Sequence, residues 1–214
     1  MKVSTMSKVF LWLFIGLLIT FVTGYTVSIN ENMVINIFSG ITRYILIIAE
    51  LGIAIFLGAR IYKMKQSTAT CLYLLYTFLT GLTLSAIFLV YELSSLLFII
   101  LVASCLFGGF AILGKILKVD LSKISVFLIM GLIGSIILGI INLFIHSGPL
   151  YTFISILSLI VFLGYTCYDI QRIKAMSNSD MPEGKVAILG AFSLFIDYIN
   201  ILIDLLNLFG NRRD

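Results

Sequence analysis

Seven apolar runs, each long enough to cross a lipid bilayer, constrain the fold of this 214-residue chain more than any other feature. A spanning helix needs about 20 mostly apolar residues, and charged or turn-forming residues separate the runs. Hydrophobic residues make up 61% of the chain and charged residues 11%, whereas charged residues supply about a quarter of a soluble domain. The sequence predicts an all-α integral membrane protein with one seven-helix transmembrane domain. The predicted spans are 9–29, 42–62, 70–90, 96–113, 124–145, 150–170 and 186–209.

Two segments leave alternatives open. Lys2 and Lys8 precede the first apolar run, a pattern also typical of a signal peptide, but the run is longer than usual and no small-residue cleavage site follows it. Residues 30–39 are amphipathic and fit either an outside loop or a short interfacial helix. Three cysteines lie inside apolar runs without paired or CxxC spacing, so they are expected to be core residues rather than disulfide partners or metal ligands. These cysteines are Cys71, Cys105 and Cys167.

The positions of the basic residues predict the orientation of the chain, because Lys and Arg near span ends are retained on the cytoplasmic side. With the N-terminus inside, eleven of the fourteen basic residues fall inside and three outside. The inside set is Lys2, Lys8, Arg60, Lys63, Lys65, Lys115, Lys118, Lys123, Arg172, Lys174 and Lys185, and the outside set is Arg43, Arg212 and Arg213. The sequence therefore predicts a cytoplasmic N-terminus and an outside C-terminus. The net charge of +4 is explained by topology and does not indicate nucleic-acid binding.

Ionisable residues inside the predicted spans are the candidates for function. Each costs roughly 2.5 to 3.5 kcal/mol on insertion scales, so each needs a reason to be there. Arg43 and Arg60 lie at opposite ends of the second span, where a long side chain can reach the interface. The acidic residues are Glu50, Asp169, Asp197 and Asp204.

The last span carries a polar stripe. Its members are separated by steps of 4, 3, 4 and 3 residues, which keeps them within an arc of roughly 80° on a helix. The stripe consists of Ser193, Asp197, Asn200, Asp204 and Asn207. Such a row of oxygen-bearing side chains is expected to face water or ions, although Asn and Ser also join helices by hydrogen bonds. Asp197 lies near the middle of the span and is the strongest candidate for an ion-pathway residue.

Asp169, near the end of the sixth span, has two interpretations. It is either a boundary residue paired with Arg172 three positions later, or the partner of Asp197 in a carboxylate pair. Two neighbouring carboxylates in a low-dielectric environment share a proton, so such a pair would sense pH. Counting helical rise places Asp169 near the cytoplasmic edge and Asp197 about half-way through the membrane. The pair therefore requires an early start of the seventh helix, helix tilt, or a bend near Gly164.

The last two spans resemble the transmembrane Bax inhibitor motif family, whose bacterial YetJ-like members are closest in length. The resemblance covers the whole chain in span count, and specific motifs occur in the last two spans. The motif residues are Tyr168, Asp169, Ile170 and Gln171 in the sixth span, and residues 191–200 (Ala-Phe-Ser-Leu-Phe-Ile-Asp-Tyr-Ile-Asn) with Leu205 and Leu206 in the seventh.

The resemblance implies six helices packed around a central seventh helix, and a pH-sensitive calcium leak. It also implies that Asp169 and Asp197 are the paired aspartates, which contact calcium transiently, and that Arg60 engages the pair as a latch. Glu50 resembles the family's second-helix acid. Asp204 has no counterpart in the motif and, with Ser193 and Asn200, is an ion-pathway candidate from the stripe alone.

The chain is expected not to be an enzyme. Intramembrane aspartyl proteases also use two helix-borne aspartates, but they carry Gly-x-Gly-Asp, whereas Leu194, Phe195 and Ile196 precede Asp197. No HExxH or GxSG motif is present for a zinc or serine hydrolase.

The predicted function is a pH-sensitive calcium leak channel in the cell membrane. The alternatives are a non-conducting regulator that binds another membrane protein, such as a quality-control protease, and a proton-coupled calcium exchanger. No cofactor is expected, with calcium as the permeant ion and protons as the regulator. The expected surroundings are the bilayer and calcium ions, without nucleic acid, and the chain is expected to be a monomer unless it binds a membrane-protein partner.

Overall fold

The computed structural model describes residues 4–61 and 63–213, and nearly all of them are helical. The helices are α1 (Thr5–Ser28), α2 (Glu31–Phe38), α3 (Thr42–Arg60), α4 (Gln66–Val90), α5 (Leu93–Ile116), α6 (Ser125–Ile145), α7 (Gly148–Ser177) and α8 (Glu183–Phe209). Seven of these helices, all except α2, are long and apolar enough to cross a membrane. This confirms the predicted all-α class with seven spans. Within the described ranges, extended pairing is limited to one isolated antiparallel bridge, between Tyr91 and Arg212.

Most helices extend beyond the predicted spans, because hydropathy marks only the part that crosses hydrocarbon and a helix continues into the polar interface. The largest difference is in α7, which ends at Ser177 instead of residue 170. Asp169 lies eight residues before the end of this helix, so the helix continues beyond the predicted end of the sixth span. Lys2, and the predicted end of the second span at Tyr62, lie outside the described residues.

Two connections are formed by local polar chemistry. Residues 30–39 contain the short helix α2, so the helical alternative for this segment is correct. Asn30 caps α2 by accepting a hydrogen bond from the backbone N–H of Met33. Between α6 and α7, His146 adopts a left-handed conformation with φ of 53°, and the side-chain Oδ1 of Asn142 accepts from the Ser147 N–H at 3.0 Å. The chain therefore turns tightly before α7 begins.

The chain divides into two compact units. The first contains the described residues up to 92 together with 176–195 and 212–213, and the second contains 93–175 and 196–211. The last helix, α8, therefore contributes its first half to the first unit and its second half to the second unit.

In the first unit, α1 packs against α4 through small residues. A side chain at Gly16 would collide with Tyr73, and one at Gly81 would collide with the backbone and side chains of α1. Small residues allow two membrane helices to approach closely and gain van der Waals contact. The Thr20 hydroxyl donates to the Thr77 carbonyl at 2.8 Å, and the Tyr73 hydroxyl donates to the Trp12 carbonyl at 2.8 Å. These bonds fix the register between α1 and α4.

In the second unit, α7 packs closely against α5. A side chain at Gly114 would meet the Cys167 backbone at 2.6 Å, so this contact needs a glycine. Gln171 then holds the segment after α5: its amide donates to the carbonyls of Leu117 and Val119, and its carbonyl accepts from the Leu121 N–H. Cys167 is buried in this contact, as expected for a core residue, whereas Cys71 and Cys105 are exposed, contrary to that expectation.

The last helix is the most deeply buried of the seven long helices. Of its most apolar stretch, 78% is buried, compared with at most 33% for each of the others. This burial agrees with the expected central position of the seventh spanning helix.

Candidate functional site

The second unit brings Asp169 and Asp197 together. Asp169 lies on α7 and Asp197 on α8, and their residues are 6% and 3% exposed. The charge of Asp169 acts directly on the Asp197 carboxyl group, so the two side chains share one electrostatic environment.

Tyr165 belongs to the same cluster, and the sequence analysis gave it no role. It lies one turn before Asp169 on α7, and its hydroxyl interacts electrostatically with both Asp169 and Asp197. The four-residue spacing to Asp169 was the available signal, because residues i and i+4 lie on the same helix face. A phenol at this position can donate a hydrogen bond and also lie next to a cation.

The two carboxylates have different surroundings. The Arg172 guanidinium lies 3.8 Å from Asp169 Oδ1, so the predicted i,i+3 neighbour is beside this aspartate. Asp197 Oδ2 is buried and has no hydrogen-bond partner among the described residues. An acceptor that is buried without a partner is costly, which makes this oxygen available to a proton or a cation.

Glu50 and Arg60 lie in the first unit. The Glu50 carboxylate, half-way along α3, accepts a hydrogen bond from the Thr83 hydroxyl of α4. Arg60 is the last residue of α3 and is exposed. The latch between Arg60 and the aspartate pair stays a prediction. Arg43, at the other end of α3, is also exposed and stacks on the Tyr44 ring at 4.6 Å.

The rest of the stripe on α8 is only partly accessible. Asp204 is 7% exposed, whereas Ser193, Asn200 and Asn207 are half-buried. The Asn200 amide nitrogen donates to the Ile196 carbonyl of its own helix at 2.8 Å, which leaves its carbonyl oxygen for other contacts. The stripe in the second unit therefore presents two buried carboxylates and an amide oxygen.

The described residues contain no group of three or more His, Cys, Asp or Glu side chains that could enclose a metal ion. A pair of carboxylates can nevertheless contact calcium weakly, because calcium accepts irregular oxygen coordination that water completes. The arrangement therefore suits transient contact with a cation and exchange of a proton. Fold and site together define a polytopic membrane protein with a buried pair of acidic residues.

Comparison with known proteins assigns this class to a family. Residues 2–214 match the family described as inhibitor of apoptosis-promoting Bax1. The chain is 37% identical to the inner membrane protein YbhL of Escherichia coli, over 97% of this chain and 92% of that protein. It is 35% identical to an uncharacterized protein of Borreliella burgdorferi, over 100% of this chain and 94% of that protein. The chain belongs to the Bax inhibitor-1 family, which confirms the resemblance seen in its last two spans.

Proposed function

We propose that this protein is a pH-sensitive calcium leak channel of the cytoplasmic membrane, gated by Asp169 and Asp197. The observation that supports the proposal most is the burial of two carboxylates in mutual electrostatic contact, inside helices that are otherwise apolar. Such residues are expensive in a membrane helix and typically belong to ion or proton pathways.

Calcium fits this site chemically. It prefers hard oxygen ligands and tolerates irregular geometry, and the pair offers two carboxylates without enclosing the ion. Sites that bind weakly release the ion again, which favours a leak over storage.

Protonation supplies the pH response. A proton shared by Asp169 and Asp197 removes negative charge from the ion path and weakens the attraction of any nearby cation. Family membership suggests Arg60 as the latch that this change releases. The structure adds Arg172 as a second cation, already 3.8 Å from Asp169.

The remaining parts of the proposal concern topology and partners. The distribution of basic residues supports a cytoplasmic N-terminus and an outside C-terminus. The inner-membrane location of the YbhL relative supports the cytoplasmic membrane. The protein is proposed to act without an enzyme activity or cofactor, as a monomer in the bilayer.

The experiment is calcium flux into dye-loaded vesicles that contain the purified protein, measured from about pH 5 to pH 8, the range in which a shared proton would titrate. Wild type is compared with Asp169→Asn and Asp197→Asn, and with Asp180→Asn as a control in the exposed loop before α8. We expect wild type and the control to conduct calcium in a pH-dependent manner, and both pair variants to lose the pH dependence.

Arg60→Ala and Arg172→Ala distinguish the two candidate cations. If Arg60 is the latch, only its removal changes the basal flux and its pH response. A change confined to Arg172→Ala would assign the role to the cation beside Asp169.

Two outcomes would contradict the channel. Calcium flux no greater than that of empty vesicles would favour the non-conducting regulator. Flux that requires an opposing proton gradient would favour the proton-coupled exchanger.

A further inference from the structure

Asp204 is a buried carboxylate that the aspartate pair does not explain. It lies seven residues after Asp197 on the same face of α8, roughly 10 Å farther along the helix axis. The Ser158 hydroxyl of α7 interacts with this carboxyl group, and both residues belong to the second unit. Its Oδ2 atom is buried and has no hydrogen-bond partner among the residues that the structure describes.

Packing alone does not account for this side chain. A leucine would fill the space without burying a polar atom, and an asparagine would avoid burying an ionisable group. The residue is also only 7% exposed, so bulk water does not solvate it as it would at a surface.

The neighbouring helices offer Asp204 little counter-charge. The only basic residue on α8 is Lys185, nineteen residues earlier, and α6 contains no Lys or Arg. On α7, Arg172 is fourteen residues from Ser158, or about 21 Å along the axis. No basic residue of α6, α7 or α8 lies within two turns of Asp204 or of Ser158, so a proton or a bound cation would neutralise the carboxylate.

We propose that Asp204 and Ser158 form a second cation-binding site, separate from the aspartate pair. A spacing of two helical turns is too long for one ion to contact both Asp197 and Asp204, so the stripe provides two successive sites. One carboxylate and one hydroxyl make a weak site in which water would complete the coordination. That the ion is calcium rests on the proposed function.

The geometry also gives Asn200 a place between the two sites. It lies one turn after Asp197 and one turn before Asp204, and its amide nitrogen is already bonded to the Ile196 carbonyl. Its carbonyl oxygen is the polar atom left over, and an ion passing between the carboxylates would meet it. Weak successive sites of this kind allow an ion to enter and leave again.

The test is direct binding of radioactive calcium to the purified full-length protein in lipid nanodiscs. We expect Asp204→Asn to remove one class of bound calcium, or to weaken it by about tenfold or more, because the only carboxylate ligand of that site is lost. Ser158→Ala should weaken the same class several-fold, and Asp197→Asn should affect the other class. Asp180→Asn, in the exposed loop before α8, is the matched control.

Gel filtration and thermal unfolding establish that each variant is folded, and Ser158→Ala tests the site where Asp204→Asn fails to fold. If folded Asp204→Asn binds as much calcium as wild type, the second site is overturned. If Asp204→Asn does not fold, wild-type calcium binding by folded Ser158→Ala overturns it instead. Vesicle flux is measured separately. Calcium binding that depends on Asp204, without any calcium flux, would support the second site and contradict the channel. Calcium flux that depends on pH, together with binding that does not depend on Asp204, would support the channel and contradict the second site.

Discussion

The two halves of α8 have opposite chemistry. In the first unit, Phe192 and Phe195 pack edge-to-face against Tyr76 and Tyr73, with ring centroids 5.1 Å and 6.2 Å apart. In the second unit, the same helix places Asp197 and Asp204 in buried positions, each with one oxygen that lacks a hydrogen-bond partner among the described residues. Both halves pack closely, since Tyr198 in the second half also meets Phe107 edge-to-face at 5.6 Å. Only the second half carries the cost of two buried carboxylates.

Magnitudes support this contrast. Aromatic pairs contribute about 0.5 to 1.5 kcal/mol each beyond the area that they bury. A buried acceptor without a partner costs about 1 to 3 kcal/mol. The aromatic pairs and the buried carboxylates follow one another along α8. This order is explained if the first half of α8 anchors the fold and the second half binds an ion or a proton.

The largest effect on stability is expected in the aromatic half. Phe195→Ala should lower the free energy of unfolding by about 3 to 5 kcal/mol, because it removes a fully buried ring and leaves a cavity. The measurement is equilibrium unfolding in mixed micelles. Phe209→Ala, at the 69% exposed end of the same helix, is the matched control and should change little. Equal losses in both variants would remove the contrast between the two halves.

A smaller loss of stability is expected from changing Gln171, through which α7 binds the segment after α5. Gln171→Ala removes three hydrogen bonds, each with a net contribution of about 0.5 to 1.5 kcal/mol. Since two of the three are exposed, we expect a loss near the lower end of the summed range, about 1.5 to 3 kcal/mol in unfolding free energy. Exposed Lys174→Ala, three residues later, is the control. If Gln171→Ala is as stable as this control, the segment after α5 does not depend on Gln171.

The acidic half should respond in the opposite sense. Asp197→Asn is expected to leave the free energy of unfolding unchanged or to raise it by about 1 kcal/mol, because it replaces a buried ionisable group beside Asp169 with a neutral amide of similar shape. The same unfolding assay measures the change, with Asp180→Asn as the control. A loss of several kcal/mol would show that Asp197 is a structural residue, and the contrast within α8 would fail.

The smallest effect is expected at Arg172. The ion pair with Asp169 is long and the arginine side chain is 40% exposed, so Arg172→Ala should cost at most about 1 kcal/mol in unfolding free energy. Higher salt should reduce this cost further, since exposed ion pairs are screened. An effect that is larger and independent of salt would mean that Arg172 is integral to the pair.

The sequence predicted the seven spans and the stripe because both depend on local patterns along the chain. Hydropathy identifies each span, and helical spacing places Asp197 and Asp204 on one face. Ser158 could not be predicted as the partner of Asp204, because that contact depends on how α7 and α8 are rotated against each other. The role of Tyr165 was missed for a similar reason. Its four-residue spacing to Asp169 is visible in the sequence, but its interaction with Asp197 depends on how α7 and α8 pack. The length of α7 beyond residue 170 was missed because polar residues there lower the hydropathy without ending the helix.

The central claim is that Asp169 and Asp197 share a proton, and infrared difference spectroscopy tests it most directly. The stretching band of protonated carboxyl groups is followed during a pH titration of wild type, Asp169→Asn and Asp197→Asn in lipid. Because the two groups interact, we predict that each substitution changes the titration of the remaining aspartate. If the remaining aspartate titrates as it does in wild type after either substitution, the two residues act independently and the account is contradicted.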